Sequence, residues 1–434
     1  MNNQVPIKPR EREGVLQALR AGVVPRIGQQ HIQVARDGEI EALLSDLDRI
    51  ADGGSAIRFV IGDFGSGKTF FLTLVRAMAL ERRLVTIHAD LNPERRLHAT
   101  GGQARSLYQE LVRNMATRSK PDGGALSAVV EKFVSSALEE ARAEDKSPED
   151  IIRKRLESLK EMVGGYDFAE VIAAYWRGYE EGDETLKSDA IRWLRGEFST
   201  RTDARSALKI RTIISDENVY DSLKLLARFV RLAGFTGLLV GLDEMVNLYK
   251  LANTQARNSN YEQILRIVND SLQGTTVGLG FIFGGTPDFL MNTRKGLYSY
   301  EALHSRLQEN SFAKGGLTDL SGPVIRLQAL TGEDLFVLLH RLRNVQASGD
   351  VTKYLLPDEG LTAFLTHCRS RIGDAYFRTP RNTIKAFLDL LAVLEQNQHA
   401  DWRDLVGAVN ISTESNTDDG PDIQEDDELA TLRI

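Results

Sequence analysis

Residues 62–69 read Gly-Asp-Phe-Gly-Ser-Gly-Lys-Thr, the spacing GxxxxGK[ST]. Gly62, Gly65 and Gly67 allow backbone angles that turn several N–H groups toward one anion. Lys68 can reach the β- and γ-phosphates of a nucleotide, and Thr69 can offer a hydroxyl to Mg²⁺. Asp63, Phe64, Ser66 and Phe70 complete the stretch that wraps the phosphates. A glycine-rich turn with an incidental lysine would account for neither Thr69 nor the apolar segments on both sides. A second chemical group is the acid pair Asp243-Glu244, which closes the run GLLVGL. An acid directly after such a run stands at the carboxyl end of a buried parallel strand, where ligands bind. Asp243 is expected to hold Mg²⁺ through water, and Glu244 to orient and activate the attacking water. A solvated strand end is the plainer alternative; position favours the chemical reading.

Three further residues are weaker candidates. The run VGLGFIFGG ends at Thr286, where some P-loop ATPases place a polar residue that touches the γ-phosphate and the water. Thr-Pro is also a good helix start. Arg306, in YEALHSRL with Arg294 a little earlier, could reach a neighbouring subunit's γ-phosphate. Arg381, in RTPRNT with Arg378, could contact the nucleotide from a helix start in the same chain. For either arginine a solvated helix face is the ordinary alternative.

These residues need strands and helices to hold them. Arg58–Ile61 reads as a short buried strand leading into the glycine loop, and FFLTLVRAMAL as the helix leaving it. Glu39 to Ile50 has the apolar spacing of a one-sided helix. Further strands are expected at Leu84–Leu91, Thr236–Leu242, Val277–Gly284 and Pro323–Leu327. Between the second and third strands the spacing predicts helices over Gln103–Thr117, Ala125–Ala143, Pro148–Met162, Phe168–Glu181 and Thr185–Phe198. This insertion either packs the core or binds a partner. From Thr331 to about Asn410 the pattern is helical again, and no internal repeat is visible.

Composition narrows the class. The 434 residues are 42% hydrophobic and 26% charged, with one cysteine (Cys368) and seven histidines. An intrachain disulfide and a cysteine-rich metal site are excluded. No run is long and apolar enough for a membrane span, and the polar N-terminus is no secretory signal. A cytoplasmic location, without membrane association, is the expectation. The formal net charge of −7 comes from the last 24 residues, which hold eight acids and one base, so the body is balanced. Strong nucleic-acid binding does not follow from that balance. Two local basic sets remain, Lys8, Arg10 and Arg12, and Arg369, Arg371, Arg378 and Arg381; solvated faces explain them equally well.

The order of parts resembles the AAA+ ATPases on their initiator and STAND-like side. HIQVARDGEIEALL is the lead-in, GDFGSGKT the Walker A loop, LLVGLDE Walker B, GGTPD the first sensor position, SRL the finger position and RTPR the second sensor. More narrowly, GDFGSGKT, ADLNPERRLH, GLDEMVNLY, GGTPDFL and RKGLYSYEAL resemble the ATP-binding proteins of BREX-type phage-defence systems, over roughly residues 24–400. The resemblance implies an α/β P-loop fold with a five-stranded parallel sheet in the order 5-1-4-3-2, a long helical insertion and a C-terminal helical lid. The implied layout is an arm at 1–23, a core at 24–94 and 231–328, the insertion at 95–230, the lid at 329–410 and a disordered acidic tail at 411–434. It also implies ATP and Mg²⁺ as ligands, with Lys68, Thr69, Asp243 and Glu244 in the Walker roles. Adenine would lie between the lead-in (Gly28, Ile32, Val34) and the lid. SKPD at 119–122 precedes Walker B, which argues against guanine. A homo-oligomer, a helicase or other defence protein, and DNA are the expected partners. The insertion departs from ordinary AAA+ chains and puts a simple ring in doubt. Three functions stand side by side: an ATPase coupled to DNA or a helicase, a STAND-like switch with slow hydrolysis, and a non-catalytic scaffold, against which Glu244 argues.

Overall fold

The computed structural model describes residues 6–313, 318–397 and 399–409; the acidic tail expected at 411–434 lies outside them. Five strands form one sheet: β1 (Ser55–Ile61), β2 (Val85–Asp90), β3 (Leu238–Asp243), β4 (Leu279–Gly285) and β5 (Val324–Arg326). The order is β2-β3-β4-β1-β5, which is 5-1-4-3-2 from the other edge. β2 and β3 run parallel with Val85 opposite Leu238 and Asp90 opposite Asp243, and β3 and β4 run parallel from Leu238 opposite Leu279. Sheets covered on both faces select continuous apolar runs, and β4 is buried along its whole length. Gly280 permits that cover: a Cβ there would come within 2.1 Å of Ile50 on the helix Asp37–Ala51.

β1 begins three residues before the expected strand and takes in Arg58, which is 6% exposed. A charge survives there because Arg58 Nε donates to Asp46 Oδ2 at 2.5 Å, while its Nη1 donates to the Leu320 carbonyl at 2.8 Å and to that of Gly322.

The chain divides into two compact units. Among the described residues, one comprises 41–59 and 75–313 with 318–325; the other comprises 6–40, 60–74, 326–397 and 399–409. In the first unit the segment between β2 and β3 forms seven helices: Gln103–Arg113, Leu126–Glu144, Pro148–Lys160, Gly165–Glu181, Glu184–Leu194, Arg201–Leu208 and Val219–Leu232. The last two were not expected. Phe229 joins this helical core to itself, 5.2 Å from Phe133 and 5.7 Å from Phe168 between ring centroids. The helix expected to reach Thr117 stops at Arg113, because Ala116 leaves it to exchange two backbone hydrogen bonds with Thr86 of β2, at 2.8 and 3.0 Å. The helix expected to reach Phe198 stops at Leu194, ahead of Gly196, whose φ of 71° a side chain would resist.

In the second unit the helices Pro9–Arg20, Gly332–Gln346, Asp358–Ile372, Pro380–Gln396 and Trp402–Ala408 share one apolar core. Val15 and Leu16 lie in it beside Leu335, Leu339, Phe364 and Phe387, so the N-terminal helix is a packed member of the bundle. Arg343, 1% exposed, is held by the Leu356 carbonyl at 2.7 Å and Asp358 at 2.6 Å. No helix among the described residues is long and apolar enough to cross a membrane.

Candidate functional site

The glycine loop follows β1 and ends as the helix Lys68–Glu81 begins. Gly65 (φ 80°) and Gly67 (φ 84°) take left-handed conformations that other residues adopt at a cost. Gly62 serves differently from the expectation. Its φ is not in that region, but a Cβ would lie 2.5 Å from Ser66 Oγ and 3.0 Å from the Leu327 carbonyl. Lys68 Nζ donates to the carbonyls of Gly62 at 2.8 Å and Asp63 at 3.0 Å, so the ammonium arches back over the loop. Ser66 N–H closes the turn onto the Asp63 carbonyl at 3.1 Å. The first turn of a helix presents amides that need acceptors from outside it.

Side chains around the loop divide by exposure. Phe64 is 45% exposed, and the Arg381 guanidinium sits 5.9 Å from its ring centroid. Thr69 is exposed, and its carbonyl accepts from the Thr73 hydroxyl at 2.7 Å. Phe70 packs against the bundle core. Arg36, which sequence reasoning passed over, ties the lead-in to this loop. Ala35 and Arg36 are both left-handed (φ 55° and 72°), and the Arg36 guanidinium donates to the Ser66 carbonyl at 3.2 Å and to that of Gln328. Burial draws its pKa below the usual guanidinium range, with Glu39 and Asp334 opposing. Ile32 of the lead-in is 3% exposed and belongs to the apolar core.

The acid pair stands at the end of β3. Asp243 is the last strand residue and is 9% exposed. Its Oδ1 accepts from the Glu244 N–H at 2.8 Å, and its carbonyl accepts from Leu91 N–H at 3.0 Å. Glu244 is exposed and left-handed, with φ 57°. Three further hydrogen bonds hold that turn: Met245 N–H donates to the Gly284 carbonyl at 3.0 Å, and Asn247 Nδ2 donates to the carbonyls of Leu91 at 2.8 Å and Glu244 at 3.2 Å. Neither Asn247 nor the left-handed turn was signalled by the motif. Asp90, opposite Asp243 in register, adds a third carboxyl. Crowding by the protein and then the Asp243 charge raise its pKa, against the pull of Arg95.

Thr286 is the N-cap of the helix Pro287–Met291, its hydroxyl accepting from Phe289 N–H at 3.4 Å. Arg306 is exposed but engaged within its own chain, donating from Nε to Asn269 Oδ1 at 2.6 Å and from Nη1 to the Ala302 carbonyl at 2.8 Å. Arg381 is exposed near the start of Pro380–Gln396.

A family model described as BREX system ATP-binding protein BrxC/D matches residues 7–410. The chain belongs to this family. Comparison with curated proteins gives no significant match. The loop suits the phosphate ligand that the BREX family description implies. Ser66 Oγ is buried in the loop without a hydrogen-bond partner, and a Cβ on Gly67 would meet nothing within 4 Å, so the loop opens onto space and carries an unused polar atom. Among the described residues no group of three or more His, Cys, Asp or Glu side chains could hold a metal ion. A magnesium ion bound with a nucleotide takes most of its ligands from phosphate and water, and needs only one or two protein oxygens.

Proposed function

We propose that this chain is a Mg²⁺-dependent ATPase of a BREX-type phage-defence system. The observation that carries the reading is the loop 62–69: two left-handed glycines, a lysine arched over the loop and a helix start, in a chain of an ATP-binding family. Lys68 would exchange its bonds to the Gly62 and Asp63 carbonyls for phosphate oxygens, and Thr69 and Asp243 would serve the magnesium ion, which neutralises charge on the β- and γ-phosphates when bound. Glu244 would orient a water for attack on the γ-phosphorus and take its proton as the bond to ADP breaks. Thr286 would bond the γ-phosphate or the water, and Arg381 the nucleotide from the bundle.

The test is steady-state ATP hydrolysis by the purified chain, with and without duplex or single-stranded DNA. Lys68→Ala is expected to lose nucleotide binding. Glu244→Gln is expected to bind ATP and not turn it over; undiminished turnover would remove Glu244 as the base. Turnover that rises with DNA supports coupling to DNA or a helicase partner in the cytoplasm.

One observation favours a second reading, the slow nucleotide-dependent switch. Arg306 is bonded to Asn269 and Ala302, and it must give up both contacts before it can serve a neighbouring subunit. Under that reading turnover is low, indifferent to DNA and dependent on self-association. Mixing Arg306→Ala with Lys68→Ala subunits then restores activity in part.

A further inference from the structure

The helix Val219–Leu232, the end of the helix Pro148–Lys160 with the residues after it, and the turn before β4 line a half-open cavity of about 290 Å³ that the ATPase reading does not use. We infer that this cavity is a second ligand site, built for a small oxyanion carried on a short apolar body. Lys224 and Arg228 lie one helical turn apart on its wall and share a face. Lys224 is committed to Asp221 at 2.8 Å and Asp270 at 3.7 Å. Arg228 is half-buried, and its guanidinium has no hydrogen bond or ion pair among the described residues; Glu161, the acid on the same wall, makes no ion pair there either.

Two residues of the lining also carry uncommitted hydroxyls. Thr276 is 5% exposed, and its Oγ1 is buried without a partner; Ser158 Oγ is buried without one as well. Interiors rarely leave buried polar atoms unpaired, because each forfeits its water bonds. The Arg228 guanidinium and these two hydroxyls form a donor set, and the one carboxylate in the lining, Glu161, makes no ion pair with it among the described residues. A carboxylate or a phosphate monoester supplies the acceptor, since both match the guanidinium fork. Met162 and Val277 give the cavity an apolar side. Its volume lies at the lower limit of small-molecule sites, too small for a nucleoside triphosphate and adequate for an anion on a single ring. The site is also remote from Thr286. Thr276 precedes β4 and Thr286 follows it, and the strand between spans about 20 Å at ~3.3 Å per residue.

The experiment is calorimetric titration of the full chain with phenyl phosphate, benzoate and inorganic phosphate. One organic probe is expected to bind saturably and at least tenfold more tightly than inorganic phosphate, and the stronger of the two identifies the headgroup. Arg228→Met should weaken that binding at least tenfold and Thr276→Val about fivefold, while Lys68→Ala leaves it unchanged. Thr276→Val keeps the shape of the wall, so it tests the hydroxyl even if Arg228→Met folds poorly. The inference is overturned if neither organic probe binds, if both wall variants bind as the wild type does, or if Lys68→Ala abolishes binding, which would assign the probe to the glycine loop. It fails equally if Thr276→Val melts higher and no probe binds, since the cavity would then be a hydrated packing gap.

Discussion

Replacing Glu244 by glycine is expected to stabilise the protein while silencing it; replacing it by glutamine should silence it without that gain. Glu244 has φ 57°. A non-glycine residue held there costs about 1–2 kcal/mol. Glycine avoids that cost but loses about 0.5–1 kcal/mol through its greater freedom in the unfolded chain. With both terms at the middle of their ranges, the net gain is about 0.75 kcal/mol. The hydrogen bonds from Glu244 N–H to Asp243 Oδ1, from Met245 N–H to the Gly284 carbonyl and from Asn247 Nδ2 to the carbonyls of Leu91 and Glu244 use only main-chain atoms of residue 244 and persist in both variants. The assay is urea denaturation followed by far-UV circular dichroism. With a slope of about 2 kcal/mol per M, the midpoint of Glu244→Gly should lie about 0.3–0.5 M above that of Glu244→Gln. A glycine midpoint at or below the glutamine one would refute the claim that the turn is strained. Hydrolysis by the glycine variant would refute the role of the carboxylate itself.

Three other perturbations follow from the same geometry. Gly62→Ala places a methyl group against Ser66 Oγ and the Leu327 carbonyl and should destabilise the fold by about 1–3 kcal/mol, with a parallel loss of ATP affinity; unchanged denaturation and affinity would count against the packing argument. Among the described residues Arg58→Met leaves Asp46 paired with Arg49 alone, at 3.1 Å, and should cost about 3–5 kcal/mol, part of it recovered in Arg58→Met/Asp46→Leu; a double variant that loses the sum of the Arg58→Met and Asp46→Leu losses would show no coupling. Cys368 is fully buried, and burial pushes its thiol up to about 12. Only the thiolate reacts, and its fraction falls as pH drops below the pKa, to about one in ten thousand at pH 8. A disulfide reagent should therefore label Cys368 at pH 8 only in denaturant, and prompt labelling of the native protein would contradict its burial.

The strands were legible to within a few residues, because strands buried on both faces read as apolar runs: TGLLVGL, VGLGFIFG and LVTIHADL each contain one. β1 was read short because its Arg58 looks like a boundary, and it is Asp46, twelve residues earlier, with the carbonyls of Leu320 and Gly322 that makes it tolerable inside. The glycine loop was legible because its function demands residue types at fixed spacing. Its details were not. Gly62 answers to a neighbour from the far end of the chain, Leu327, and Arg36 to carbonyls at 66 and 328. Glu244 was legible as an acid but not as a strained one, since its conformation depends on Gly284 and on the amide of Asn247. Helix ends failed where tertiary pairing overrode local preference, as at Ala116. The helix Val219–Leu232 carries Leu223, Leu226, Phe229 and Val230 at regular helical spacing and was readable by the rule that found its neighbours.

The two outer strands have a consequence for assembly. A sheet edge with unpaired backbone groups is a template on which a second chain can build, and proteins blunt such edges. On the β2 side Ala116 already occupies both hydrogen-bonding groups of Thr86. On the other side β5 is three residues long, too brief to offer a ladder. Neither margin suits sheet-to-sheet growth. Among the described residues, the surfaces left for copies of this chain to meet on are helices and loops, whose contacts can be made and broken as side chains rearrange, without the persistence of a shared sheet.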